Sequence, residues 1–332
     1  MPARAPRRVA VLGLGLIGGS LVRRLAAAGV AVTAYDADPG TRAVARTAAA
    51  MAGRSRAWSV ASSVAEAVES AEAVVLAVPL PALGRVLSAV AATGYEGLLT
   101  DVTSVKGPAA DLAAAHLPRA RWVGGHPMAG TERSGFMASD AALFDGCAWV
   151  LSLDRHTALG DWLALAALYT GIGARVVPAT SADHDAAVAR ISHLPHLVAA
   201  ALAAAADEGP AGPLALALAA GSFRDGTRVA ATRPELTAAM TGANAAALRT
   251  ELDALRTRLA RFRHLLDAAD PVAALAPALQ DGHAVRAAWP ATAGTPADLP
   301  VDANALLDLG RAGGWVTGVA EDGRHVTVVR PE

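Results

Sequence analysis

The chain has 332 residues, 53% of them apolar and 4% aromatic, enough for roughly two cores of about 150 residues each but poor material for a surface that stacks bases. Its formal charge of −1, without a long Lys/Arg run, argues against nucleic acid or an anionic membrane as partner and favours a small-molecule substrate. The single cysteine, Cys147, rules out an intrachain disulfide, fits a reducing cytoplasmic compartment and reads as a small buried hydrophobe.

The basic start MPARAPRR leads into a glycine-interrupted strand and turn rather than a signal segment. VAVL (9–12), VAVTAYD (30–36), AVVLAVP (73–79), LLTDV (98–102) and RWVGG (121–125) read as strands, with alanine-rich amphipathic helices between them. Such alternation predicts an α/β unit, a parallel sheet with helices on both faces. CAWVLS (147–152) and ARVVP (174–178) are expected to extend that same sheet, which gives a first domain of residues 1–178.

After Pro178 the strand signal stops. Stretches 181–207, 211–222 and 235–268 are long and rich in alanine and leucine, so 179–289 reads as an all-helical domain that completes its core by dimerising. Apolar runs there, such as LVAAALAAAA (197–206), fall short of the roughly 20 residues that span a bilayer. Residues 290–332 read as a short α/β tail, one helix and a hairpin turning near Asp322-Gly323, too small to hold a core alone.

The first strand runs directly into Gly13-x-Gly15-x-x-Gly18 and a helix. In a Rossmann-type unit the first glycine allows the tight turn, the second lets backbone amides approach a pyrophosphate, and the third lets helix and strand pack closely. Asp36, at the end of the second strand, is placed to accept from both ribose hydroxyls and to repel a 2′-phosphate, which favours NAD over NADP. Leu16 and Ile17 in the turn, and Val78-Pro79 at the end of AVVLAVP, complete the candidate cofactor contacts.

Reaction chemistry should lie beyond the carboxyl ends of the strands. DVTSVKGP (101–108) and GGHPMAGTERSG (124–135) leave two of them, and ISHLPH (191–196) lies on the first long helix after the sheet. His126 sits among glycines and a proline, where on the residues alone it is either a reacting group or a cap on a strand end. His193 and His196 stand three apart and could form a metal pair with His184, but no fourth ligand has sensible spacing, so no metal is expected. Asp225 and Arg228 could equally be a surface ion pair.

Together GLGLIGGS, DVTSVKGP, GGHPMAGTERSG, the DHD…SHLPH helix (183–196) and GSFRDGTRVA (221–230) resemble the prephenate/arogenate dehydrogenase family of tyrosine biosynthesis, especially its actinobacterial members, over about residues 8–265. The resemblance implies NAD-dependent oxidative decarboxylation of a cyclohexadiene. Hydride leaves the carbon bearing the 4-hydroxyl, the ring carboxylate departs as CO2 and the ring becomes aromatic. It also implies that His126 takes the hydroxyl proton and that Ser104 orients that histidine near the nicotinamide. Thr131, His193 and His196 would line the substrate pocket, and Arg228 would bind a substrate carboxylate with Asp225 as its ionic partner. Prephenate is the expected substrate; arogenate, the 4-amino analogue of prephenate, and a non-catalytic NAD-binding sensor are the alternatives. Two features depart from the family: Thr237 stands where some relatives carry an aromatic residue, and the tail resembles at most a degenerate ACT module.

Overall fold

The computed structural model describes residues 4–53, 58–130 and 133–332. The chain divides into two compact units, one running to Asp185 and including Thr295–Arg330, the other comprising Ala186–Gly294 with Pro331–Glu332.

In the first unit, β1 (Arg8–Leu12), β2 (Ala31–Tyr35), β3 (Ser59–Val60), β4 (Ala73–Leu76), β5 (Leu98–Asp101) and β6 (Arg121–Val123) form one sheet in the order β3-β2-β1-β4-β5-β6. Every pairing in it is parallel. Its central strands are apolar runs because both faces are covered. Along β1, Val9 and Val11 enter one core with Leu21 and Leu25, while Ala10 and Leu12 enter another with Leu83 and Leu87, the two-residue period of a strand. The strand order reverses between β1 and β4, and this switch point is where such sheets open a crevice at their carboxyl edge.

The expectation that 147–152 and 174–178 extend this sheet is corrected. They belong to a second sheet, ordered β10-β12-β11-β9-β8-β7, built from β7 (Gly125–Pro127), β8 (Ala148–Ser152), β9 (Arg175–Ala179), β10 (Ala297–Pro300), β11 (Trp315–Val319) and β12 (His325–Val329). The cause lies at Gly124. Its amide donates to Ser152 Oγ at 2.8 Å and its carbonyl accepts from the Ser152 amide at 2.8 Å. The chain leaving β6 is thereby captured by β8 and continues as β7, antiparallel to it. A side chain at Gly124 would press on Ser152 Oγ, 2.8 Å from an added Cβ. The glycine-rich stretch 124–135 therefore begins as a short edge strand, with His126 paired to Val150.

The tail finds its core in this second sheet. β11 takes the open edge of β9, with Val316 opposite Val176, and Leu306, Leu309, Val316, Val326 and Val328 are buried in the larger cluster. The helix Ala303–Arg311 comes so close to β9 that a Cβ at Gly310 would overlap the Pro178 carbonyl.

The second unit consists of helices: Leu194–Ala206, Gly212–Ala217, Gly221–Thr227, Pro234–Ala243, Ala245–Leu265 and Pro271–Ala287. The stretch expected to be helical over 181–207 is one continuous helix, Ser181–Ala206, of 26 residues, long and apolar enough to cross a membrane by length and composition alone. Proline lacks an amide and its ring crowds the carbonyl four residues back. A π-turn at Ala189–His193, just before Pro195, widens the helix there and carries it past the proline.

Candidate active site

Gly13 turns with φ of +108° where an added Cβ would overlap the Ala77 carbonyl, and Val78 Cγ1 stands 2.9 Å from the same point. A Cβ at Gly18 would overlap the Gly13 carbonyl. Gly15 differs: a Cβ there meets no atom within 4 Å. It is the N-cap of the helix Leu16–Ala27, which has no side-chain cap and no acidic residue in its first turn. The turn therefore leaves open space in front of amides with no partner within the helix, a cradle suited to a pyrophosphate. Asp36 closes its far side, accepting from the Leu14 amide at 2.7 Å and the Asp38 amide at 2.9 Å. Pro79 caps the next helix, Leu80–Ala91. The residues present fit a dinucleotide.

At the carboxyl end of β5 the chain reads Asp101-Val-Thr-Ser-Val-Lys106. Asp101 and Lys106 are both fully buried, with Nζ 2.5 Å from Asp101 Oδ2. Thr103 Oγ1 also donates to that carboxylate. Burial pushes the Lys106 ammonium below its ordinary pKa, opposed by the Asp101 charge and hydrogen bond. The pair grips one residue, Gly125: Nζ donates to the Gly125 carbonyl at 2.5 Å, and the Gly125 amide donates to Asp101 Oδ1 at 2.9 Å. Both backbone groups preceding His126 are thus fixed by charged partners. Ser104 lies half-buried on the same loop.

His126 is half-buried, and its Nδ1 lies 2.9 Å from His184 Nε2, the rings edge-on at 75°. His184 Nδ1 is 2.8 Å from Asp185 Oδ1. Asp185 accepts from the Lys106 amide at 2.7 Å and the Gly107 amide at 2.9 Å, at the start of the helix Gly107–His116. Burial alone would raise the Asp185 pKa, but hydrogen bonds from His184 and the two amides outweigh it and hold the carboxyl below its ordinary value. Asp101, Lys106 and Asp185 carry no role in the sequence reading and His184 enters it only as a metal ligand set aside, although the first two flank Ser104 in DVTSVKGP and the last two belong to the DHD of the helical motif.

The remaining sequence candidates divide. His193 is fully buried, with Nδ1 3.1 Å from Asn244 Nδ2, a contact that ties two helices together. His196 is half-buried and Nδ1 donates to the Ser192 carbonyl at 2.9 Å, which leaves Nε2 as its acceptor. Asp225 and Arg228 are both exposed, and Asp225 pairs with Arg224 at 3.6 Å. Thr131 lies outside the described residues. Among the described residues no group of three or more His, Cys, Asp or Glu is arranged to hold a metal ion. The Cys147 thiol is pushed up to about 11 by burial, far from the thiolate a nucleophile needs.

A family model described as prephenate dehydrogenase, nucleotide-binding domain, matches residues 21–178, and one described as prephenate dehydrogenase, dimerization domain, matches 180–278. The chain is 34% identical over 269 residues to a cyclohexadienyl dehydrogenase of Zymomonas mobilis, covering 80% of this chain and 90% of that one. It is 33% identical over 234 residues to a prephenate dehydrogenase of Bacillus subtilis, covering 69% of this chain and 62% of that one. In fold it resembles the crystal structure of prephenate dehydrogenase from A. aeolicus in complex with hydroxyphenyl propionate and NAD+, with a TM-score of 0.74, 24% identity, and coverage of 85% of this chain and 96% of that one.

Proposed function

Because the chain belongs to the prephenate dehydrogenase family, we propose that it catalyses the NAD-dependent oxidative decarboxylation of prephenate to 4-hydroxyphenylpyruvate, in tyrosine biosynthesis and in the cytoplasm. The observation that carries this reading is the gripped His126, held beside the carboxyl edge of a sheet whose switch point bears an open glycine turn. NAD, when bound, supplies the hydride acceptor. Gly13, Gly15, Leu16, Ile17, Gly18, Asp36, Val78, Pro79 and Ser104 would hold it, and the Asp36 carboxylate would disfavour a 2′-phosphate.

His126 takes the 4-hydroxyl proton as the ring aromatises, with Ser104 helping to orient it. Neutral imidazole, with an ordinary pKa of about 6.5, suits that role at cellular pH. Aromatisation makes the step strongly downhill, so the residues have to orient the ring and remove a proton, and no strong nucleophile is required. Arg228 binds a substrate carboxylate through its planar fork, with Asp225, His193, His196 and Thr131 as further substrate contacts. The helical unit forms a homodimer, in keeping with the description of the model matching 180–278.

Arogenate is the second reading, favoured by the similarity to a dehydrogenase named for the cyclohexadiene ring and not for one side chain. Purified protein mixed with NAD and either prephenate or arogenate should raise absorbance at the NADH band. Silence with both substrates would overturn the enzyme reading, and equal efficiency with NADP would overturn the role of Asp36.

A further inference from the structure

The row of groups behind His126 defines which of its nitrogens carries the proton. Asp185 accepts two backbone amides, and its carboxyl is held below the ordinary range, so it is a carboxylate and offers only lone pairs. His184 Nδ1, 2.8 Å from Asp185 Oδ1, must then be the N–H that donates to it. A neutral imidazole has one donor and one acceptor nitrogen, so His184 Nε2 is the acceptor. His126 Nδ1, 2.9 Å away, must in turn donate. The lone pair of neutral His126 is left on Nε2.

We propose that His184 and Asp185 are positioning residues that lock His126 in the Nδ1–H tautomer, making Nε2 the base, and that the Asp185 carboxylate stabilises the imidazolium formed when Nε2 takes a proton. This rests on the reading of His126 as the base. The balance is simple: the substrate O–H bond breaks, an Nε2–H bond forms, and the electron pair stays on oxygen as the hydride leaves for NAD. Nδ1–H of His126 and Nδ1–H of His184 keep their protons. The arrangement is a carboxylate, a spacer imidazole and a base imidazole in series. The spacer is almost fully enclosed, with its side chain 1% exposed, so bulk water does not compete for either nitrogen. Among the described residues, the titratable groups facing it are His126 and Asp185; beyond them lie the Asp101–Lys106 pair through Gly125, and Arg311 on the neighbouring Asp183 at 3.1 Å.

Nuclear magnetic resonance of wild-type protein carrying isotope-labelled histidine reads the tautomer without any turnover, the His126 signals being assigned by their loss in His126→Asn. Neutral His126 is expected to carry its proton on Nδ1; an Nε2–H form overturns the proposal. In kinetics, Asp185→Asn keeps the side chain's shape and removes its charge. Its kcat should fall at least about 10-fold, the acid limb of kcat/KM should move to lower pH because the imidazolium has lost its counter-charge, and NAD affinity should hold within about two-fold. An acid limb that stays in place while kcat falls would mark a merely structural carboxylate and defeat the proposal. Should Asp185→Asn fail to fold, His184→Phe read by the same spectra should lose the Nδ1–H signature. The base reading fails separately, if His126→Asn retains wild-type turnover.

Discussion

A buried ion pair is a poor way to stabilise a fold. At Asp101 and Lys106 the dominant effect on the ammonium is the cost of burial, only opposed by the partner's charge, and pairs of this kind are often matched by apolar residues of similar volume. Their value here is geometric, since they hold the amide and carbonyl of Gly125 at once. Lys106→Met, which strands a buried carboxylate, should cost about 3–5 kcal/mol in urea unfolding. Asp101→Leu combined with Lys106→Met should recover only part of that stability, since the buried Gly125 amide and carbonyl lose their partners, and should leave little turnover, because nothing then fixes the residue before His126. A double variant with wild-type turnover would show the grip to be dispensable. Gly125→Ala probes the same point from the backbone side: its Cβ would lie 2.6 Å from the Asp101 carbonyl and 3.0 Å from Thr100 Oγ1, so the strand must shift. A misplacement of about 1 Å costs on the order of 100-fold in rate, while binding at the glycine turn, whose residues do not contact the added methyl, should change little. Asp185 adds a pH signature. A carboxyl whose folded pKa is depressed contributes stability that is present above its unfolded pKa and lost as pH falls through the folded value. Unfolding free energy of wild type should therefore drop below about pH 4 more steeply than that of Asp185→Asn.

Among the elements, the glycine turn separates space kept for packing from space kept for a ligand. Gly15→Ala adds a methyl where no atom lies within 4 Å, so the thermal midpoint should barely move, but the methyl stands where a pyrophosphate approaches the amides and NAD binding should weaken at least about 10-fold. Gly18→Ala should do the reverse first, lowering the midpoint because its Cβ overlaps the Gly13 carbonyl. A calorimetric titration with NAD beside a thermal melt distinguishes the two, and loss of stability in Gly15→Ala would refute the ligand role. The parallel strands and this turn were legible because both are local patterns: unbroken apolar runs bounded by glycine. The division into two sheets was not, since it depends on Gly124 meeting Ser152 across 28 residues. The long helix expected over 181–207 was legible as well, although its passage through Pro195 depends on a π-turn that the sequence does not show. His126 stood out from its glycines, but the partners behind it sit 58 and 59 positions further along, as His184 and Asp185, and only folding brings them together.

For the whole molecule, the helical unit has too little core for its apolar content. Leu248 and Ala199 are buried there, but Leu202, Leu214, Leu218, Leu259 and Leu279 are between 51% and 72% exposed. Apolar side chains exposed in that number fit a surface that a partner would cover, and the homodimer proposed above would supply that partner as a second copy, in keeping with the description of the model matching 180–278. A C2 interface is self-complementary, so each leucine that enters it counts twice. Sedimentation at micromolar concentration should give twice the 33.4 kDa of the chain. The unfolding midpoint should rise with protein concentration, as mass action requires when only the folded state associates. Leu214→Asp with Leu218→Asp should shift the equilibrium toward the single chain, with the fluorescence of the tryptophans in the sheet-containing unit, among them the buried Trp58, Trp149 and Trp162, reporting whether that unit remains folded. A mass equal to one chain at every concentration, with a midpoint that does not move, would leave these leucines without a partner and remove the dimer.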